Sequence, residues 1–550
     1  MRRTMAALLG AVVGGTGVAA AQQRPDSAVE RAVAIPTEAM LGAHLRFLAS
    51  DLLRGRGTGT YGSEVAAHYI AAQFEALGLE PAGTDGWFQT VPLVGMRSTT
   101  SLVVGARRQT TLLEPGTDFV AWPRRPDTTL TVDGEVVFVG YGIDAAEWRW
   151  DDFKGTPLAG RVLLVLVGDP GTADSTVFRG TEETYYARWT YKLEQAARMG
   201  AIGVLLIHDD ASAGYPWRVV QNTFGRERVQ LDRPVSETLR FAAWITHDAA
   251  ERLVSASERD LAALIRRAQS RSFRPIELDA HAVVDMRIRV RRFRDANVVA
   301  QLPGRDPQRA REAVVFTAHY DHLGIGPSVQ GDSIYNGAVD NASGVAALIA
   351  SAAGMSGTAA GPARSTVFLA TTGKEAGLLG AQAFVANPTV PLQWIAGVIN
   401  VDRANVLGVT RDAAAAGAAL STLGEHFRQA AAAEGLRRSQ PPDAGRELYR
   451  SDVLPFAQVG VPVLSLASGT DVAGHPPGWG RQQHDEYVRE RFHQPSDEFS
   501  GDLELGGALQ QVRLLLRLAW SVGDASDLPR WHTGSEFHAA GERLRVRRTR

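Results

Sequence analysis

No cysteine occurs in the 550 residues of this chain. Its absence excludes disulfides, thiolate nucleophiles, thiolate metal ligands and a lipid-bearing thiol. An excess of either charge is missing too. Lys and Arg number 58 against 60 Asp and Glu, leaving a formal net charge of -2, so no global field recommends nucleic acid as a partner. A confident membrane span is also lacking, because the apolar stretch from Met5 to Ala20 falls short of the roughly 20 residues that a bilayer requires. Arg2 and Arg3 precede that stretch and "VAAAQQ" follows it, with Ala19 and Ala21 spaced as in an A-x-A cleavage site. The pattern predicts a signal peptide over 1–21 and a bacterial protein that is secreted or periplasmic. Any metal site must then be built from His, Asp and Glu.

Composition is otherwise that of a globular protein, 45% hydrophobic and 21% charged, with material for two to four domains at roughly 100–200 residues each. The segment 44–83 reads as helix, Gly-rich loop, helix. Ser63 is its candidate N-cap, Val65, Tyr69, Ile70, Phe74 and Leu77 stand at helical spacing, and Gly78 is a stop. "FVAWPRRPDTTL" reads as a linker. From 130 to 270, buried-strand runs such as "RVLLVLVGDP" alternate with helical runs and predict a smaller α/β module. That module holds no cluster of potential metal ligands, and its His208 and His247 read as structural. "VDMRIRVRRFRDANVVAQLPG" reads as an alternating strand pair. Beyond it "AVVFTAHYDH", "STVFLATTGKE", "IAGVINVD" and "VPVLSLAS" are apolar runs ending in polar residues, separated by helical segments. The predicted fold is α/β, with a mixed, mainly parallel sheet covered by helices on both faces and the smaller α/β module inserted. Residues 22–129 would form the first part of the main domain and a linker, 130–270 the insert, and 271–550 the catalytic domain. A ligand site is expected beyond the carboxyl ends of the strands.

The charged residues sit at those ends: His319 and Asp321 in "AHYDH", Asp340 in "GAVDNASG", Glu375 in "GKEAGLLG", Asp402 in "INVDRAN" and His493 in "RFHQPSDEF". Any one of them alone reads as a cap or a surface charge, and Asp340 is a good N-cap candidate. Two imidazoles and three carboxylates converging on one sheet edge suit zinc or a similar divalent ion. With a bridging carboxylate they could serve two ions about 3.5–4 Å apart. Asp321 would turn back to hold the His319 imidazole.

The motifs "HYDHLGIG", "NGAVDNASGVA", "GKEAGLLGAQAF", "INVD" and "FHQPSDEF" resemble those of the co-catalytic zinc exopeptidases of metallopeptidase family twenty-eight, which include bacterial aminopeptidases, glutamate carboxypeptidases and glutaminyl cyclases. The segment 44–83 looks like that family's opening, and the 130–270 module resembles its protease-associated insert. The resemblance implies an exported zinc-dependent exopeptidase, an aminopeptidase acting on peptide substrates, with two divalent metal ions. His319, Asp340 and Asp402 would hold one ion; Asp340, Glu375 and His493 would hold the other. Asp321 matches the residue that supports the first histidine. The pocket would be lined by Arg403, Tyr449 and Asp452, with Arg450 and Ser451 beside them. Arg403 could clamp a substrate carboxylate or simply pair with an acid. Val453 stands where relatives commonly carry His, and His322 and His484 are given no role.

At the base position the resemblance breaks as well. The family's usual Glu-Glu is here Lys374-Glu375, so lysine stands in the place of the general base. Three readings stay open: a metal-binding protein of low activity, an active enzyme using a neutral lysine, or an active enzyme with a substitute acid such as Asp452 or Glu447. A non-catalytic peptide-binding relative is the alternative class. The amidohydrolase-like deacylases, which share the His-x-Asp and acid-pair pattern, carry their extra domain between metal ligands rather than before His319.

Overall fold

The structure is a computed structural model that describes residues 27–549 apart from 107–108, 172–176, 179, 181–182, 234–237 and 443. The export-signal expectation for 1–21 lies outside the described residues. Three consecutive parallel strands form the centre of the larger half: Ile395–Val401, Ala313–His319 and Ser365–Thr371, every residue buried. Val463–Ala467 extends this set in parallel, and Asp412–Ala416 pairs antiparallel at its far side. Runs of Val, Ile, Phe and Ala with no polar alternation can only be satisfied where both faces are covered. Both are. Val314, Phe316 and Ala318 pack with Ser343–Ser356 and Gly506–Gly523 on one face, while Ala313 and Val315 pack with Leu379–Ala386 and Val453–Gln458 on the other. The stretch Ala338–Ser356 is long and apolar enough to cross a membrane, but all of it is buried inside the protein.

The expected strand pair around 285–302 is one strand of 27 residues, Ile276–Leu302. It runs antiparallel beside Phe88–Ala106 along the whole length of the latter. Its last residues, 298–302, pair with Ser365–Thr371 in the larger half's sheet, whereas its first half pairs with Thr129–Phe138 in the other α/β module. A polar alternating stretch such as "RIRVRRFRD" has one wet face, so it can bridge two buried sheets without a turn of its own. In the second module, Thr129–Phe138, Val162–Leu166, Gly203–Ile207 and Phe241–Ile245 lie parallel, with helices Trp189–Arg198 and His247–Ala256 following the pattern read from the sequence. The expected linker is instead partly an edge strand: Phe119–Pro123 pairs antiparallel with Phe241–Ile245. Its two prolines stand at the strand end and beyond, where a sheet tolerates them.

Helix Tyr61–Ala76 begins after Thr60, so Ser63 is not its N-cap. The Ser63 hydroxyl donates to Asp295 at 2.8 Å, a tertiary bond that no local pattern reveals.

Candidate metal centre

Three neighbouring strand ends deliver three of the predicted side chains. Ala313–His319 ends on His319, Ile395–Val401 hands over to Asp402, and Ser365–Thr371 leads into the turn that carries Lys374 and Glu375. Asp340 arrives from the loop before Ser343–Ser356, and His493 from the loop after Trp479–Glu490. Asp340 sits in the middle. Its Oδ1 lies 3.3 Å from His319 Nε2, and its Oδ2 lies 3.4 Å from His493 Nε2. His319 Nε2 is also 3.3 Å from Asp402 Oδ1, and His493 Nε2 is 3.1 Å from Glu375 Oε2. The five predicted ligands are therefore brought together, with His319, Asp340 and Asp402 forming one compact group.

Two atoms test whether these residues fit a divalent ion. Asp340 Oδ2 and His493 Nε2 are both buried and neither has a hydrogen-bond partner. Buried polar atoms are almost always satisfied, and an imidazole nitrogen beside two carboxylates is the donor set of a zinc-type site. The residues fit.

Lys374 reaches the same centre. Its Nζ lies 3.0 Å from Glu375 Oε1, 3.3 Å from Asp402 Oδ2 and 3.4 Å from Asp340 Oδ1. Burial works against the ammonium, but Asp340, Asp402 and Glu375 outweigh it and raise its pKa well above the ordinary lysine value. The lysine thus places a positive charge among three of the candidate ligands.

Asp321 acts differently from expectation. It is the Asp321 carbonyl that lies 3.0 Å from His319 Nδ1, while its carboxylate is 3.7 Å away. The carboxylate instead accepts from the backbone N–H groups of Lys374 (3.0 Å) and Glu375 (3.3 Å) and from the Thr58 hydroxyl (3.0 Å). It fixes the Lys-Glu turn against the histidine strand.

Two of the predicted pocket residues are buried. Tyr449 is fully buried, with its hydroxyl donating to Glu536. Asp452 is buried, accepts from Thr371 Oγ1 at 2.7 Å, and is pushed up to about 6 by burial. Adjacent helices carry both inward, so neither has surface to offer a substrate. Arg403 does line a cleft, together with Asp402, His484 and Tyr487, and there it pairs with Glu447. Glu447 is thereby engaged as a counterion. Arg403 and His493 both hold left-handed backbone, φ 61° and 58°, a costly conformation for such side chains that collects at functional sites. Gly337, at φ 58°, is required: a Cβ there would meet the Asp340 carbonyl at 2.2 Å.

Several contributors were given no role in the sequence reading, although Asp497 and His322 lie inside quoted motifs. Arg56 is fully buried and donates to the carbonyls of Leu48, Tyr320, Asn336 and Gly337, clamping the His319 and Asp340 loops together. Asp497 accepts from the backbone of Val339 and Asp340 and from the Tyr487 hydroxyl. His322 lies 3.9 Å from Glu375 Oε1 and is buried with neither ring nitrogen bonded; it groups with Asp340 and Glu375 as a possible metal set. Its place in "HYDH", three polar residues at one strand end, was the available hint. His208, by contrast, pairs with Asp210 inside the second module and touches aromatic rings there.

The second module also reaches the centre. Thr223 Oγ1 lies 2.8 Å from His493 Nδ1, and Asn222 donates to the His493 carbonyl at 3.2 Å. A partner on the far ring nitrogen orients a metal-binding histidine and is worth about 10- to 100-fold in metal affinity. Thr223→Val is expected to lower zinc affinity by about that factor at the Glu375 side while leaving the His319 side filled. Competition with a chromophoric chelator would read the two sites separately.

Fold and centre together place a candidate divalent-metal site at the carboxyl edge of an α/β sheet. Residues 297–516 match the model of Peptidase family M28. Among solved structures, the chain is similar to an aminopeptidase from Aneurinibacillus sp. strain AM-1, at 17% identity and TM-score 0.53, covering 91% of this chain and 97% of that one. It also aligns with a zinc aminopeptidase from Bacillus subtilis (16% identity, TM-score 0.46, 90% and 97% covered) and a peptidase M28 precursor from Shewanella amazonensis (16%, 0.46, 92% and 97%). No curated protein matches the chain.

Proposed function

We propose that the chain is an exported zinc-dependent exopeptidase of the aminopeptidase type, binding two divalent ions and turning over slowly. The observation that carries this reading is Asp340, whose two oxygens each lie within 3.4 Å of a different histidine. His319 and Asp402 would complete one ion's set, and Glu375 and His493 the other's. The family match supports peptide-bond hydrolysis, and the fold neighbour supports the aminopeptidase type. Bound divalent ions supply Lewis acidity, polarising a scissile carbonyl and acidifying water.

The chain's own residues set the rest. Asp321 holds the 374–375 turn so that both side chains face Asp340. Arg403, held by Glu447 on the wall of the cleft beside Asp402, would orient a substrate's polar end. Where the family usually has a carboxylate to accept a proton, this chain has Lys374. General-base help is typically worth about 10²–10⁴ in rate, so turnover is set low. The same lysine favours a second reading, a peptide-binding protein that keeps the centre without hydrolysis.

The test is zinc content of the mature chain measured beside hydrolysis of aminoacyl anilides and dipeptides. Wild type is expected to take up two ions and cleave slowly. His319→Ala and His493→Ala are each expected to lose one ion and at least about 100-fold in rate, a loss of one ligand and of the bound ion's several kcal/mol. Two ions with no cleavage of any peptide would establish the binding protein instead. Failure of the wild type to bind divalent metal would overturn both readings.

A further inference from the structure

Between the second module and the peptidase half lies a cavity of about 480 Å³ whose lining is unusually basic. Arg124, Arg188, Arg228 and Arg233 line it, and Glu194 is the one acid among its described lining residues. Glu194 is already occupied. It receives the Tyr185 hydroxyl at 2.6 Å and lies 3.6 Å from Arg198.

Arg188 and Arg228 are only 7% and 8% exposed. The Arg188 Nε has no hydrogen-bond partner, and among the described residues no carboxylate pairs with this side chain. Among the described residues, Arg228 makes two long bonds to carbonyls, 3.4 Å to Thr223 and 3.3 Å to Ala376, and stacks on the Phe224 ring. A buried guanidinium without a counterion is costly, and proteins keep such groups where something charged is meant to arrive. Burial and then a like charge bring both down to about 10, Arg450 acting on Arg188 and Arg124 on Arg228. The first turn of helix Trp189–Arg198 lines the same cavity through Trp189 and Thr190, and no side chain caps that helix. Its free N–H groups add to the positive potential. The rest of the wall combines an apolar patch, Trp122, Leu231, Leu379 and Leu454, with Gln230, Gln382 and Gln458.

We propose that this cavity binds a peptide carboxylate, with the carboxylate group on Arg188 and its apolar side chain against Trp122 and Leu379. Guanidinium forks match a carboxylate in two parallel bonds, and the apolar wall distinguishes a peptide end from a bare inorganic anion. Residues 376–379 form part of the wall directly after Glu375, so the site stands behind the catalytic turn without sharing its ligands. The inference is independent of whether the chain hydrolyses peptides.

Calorimetry on the full mature chain tests it, using N-acetyl-leucine, N-acetyl-leucinamide and inorganic phosphate. N-acetyl-leucine is expected to bind at least about tenfold more tightly than either of the others, the gain of a charge-assisted bond. Arg188→Met is expected to lose about 10- to 100-fold in that affinity, while zinc content stays the same and the melting temperature holds or rises, because an unpaired buried charge has been removed. The wild-type comparison of acid with amide needs no variant. Equal binding of acid and amide, or none, would overturn the proposal. Phosphate binding as tight as N-acetyl-leucine would make this an inorganic anion site, also against the proposal. A lower melting temperature in Arg188→Met would assign the arginine to the scaffold.

Discussion

Lys374→Met is expected to raise zinc affinity and leave turnover low, whereas Lys374→Glu raises both. The reason is the position of the ammonium, 3.0–3.4 Å from carboxylate oxygens of Glu375, Asp402 and Asp340. Those oxygens are what a divalent ion would coordinate, so lysine and metal compete for one anionic centre. Two unit charges about 4 Å apart interact by about 4 kcal/mol at an effective dielectric of 20. Even heavily discounted, relief of that opposition strengthens zinc binding by at least about tenfold. Methionine removes the charge at similar volume but brings no group that can take a proton. Glutamate brings one, and a gain of about 10²–10⁴ in turnover is the usual scale of general-base help. Zinc affinity and single-turnover rates of the three proteins decide the matter. Loss of hydrolysis in Lys374→Glu would mean that the lysine is a working catalytic group, and unchanged zinc affinity in Lys374→Met would refute competition.

The second large effect belongs to Arg56. Arg56→Met is expected to destabilise the peptidase half by at least about 4 kcal/mol, because four carbonyls lose a charged donor and each buried unsatisfied group costs about 1–3 kcal/mol. The guanidinium ties Leu48 to the Tyr320 carbonyl and to the Asn336 and Gly337 carbonyls. Those loops carry His319 and Asp340, so zinc affinity should fall together with the denaturant midpoint. A variant that unfolds at the wild-type urea concentration would show that water replaces the guanidinium without loss. Arg56→Lys should recover only part of the stability, since an ammonium cannot serve four carbonyls in a plane.

Much of the centre was legible because its residues obey a local rule. His319, Glu375 and Asp402 each stand at or just past the end of a largely apolar run, and such runs form parallel strands whose carboxyl ends share one edge. Asp340 and His493 were collected with them from the connections of the same sheet, and the motif resemblance then supplied the ion that each would hold. The misreadings share a cause. "FVAWPRRPDTTL" looks like a linker until Phe241–Ile245 offers Phe119–Pro123 an edge to pair with. "RIRVRRFRD" looks like two strands until Phe88–Ala106 runs alongside it for its full length. Tyr449 looks like a pocket residue until its helix turns it inward toward Glu536.

From the amino-acid order alone came the absence of thiol chemistry, the alternation of buried strands and helices, and the set of nitrogen and oxygen donors at the strand ends. These depend on residue type and near neighbours, which the sequence states directly. Only the tertiary structure decided which groups serve those donors. The Asp321 carboxylate orders the Lys-Glu turn, Thr223 crosses from the second module to His493, and Arg56 spans two loops nearly 300 positions further along the chain. Such contacts join residues whose separation along the chain carries no information about their distance in space. The position of the Lys374 ammonium among three carboxylates is of the same kind. Its presence could be read from the chain, but its proximity to all three could not.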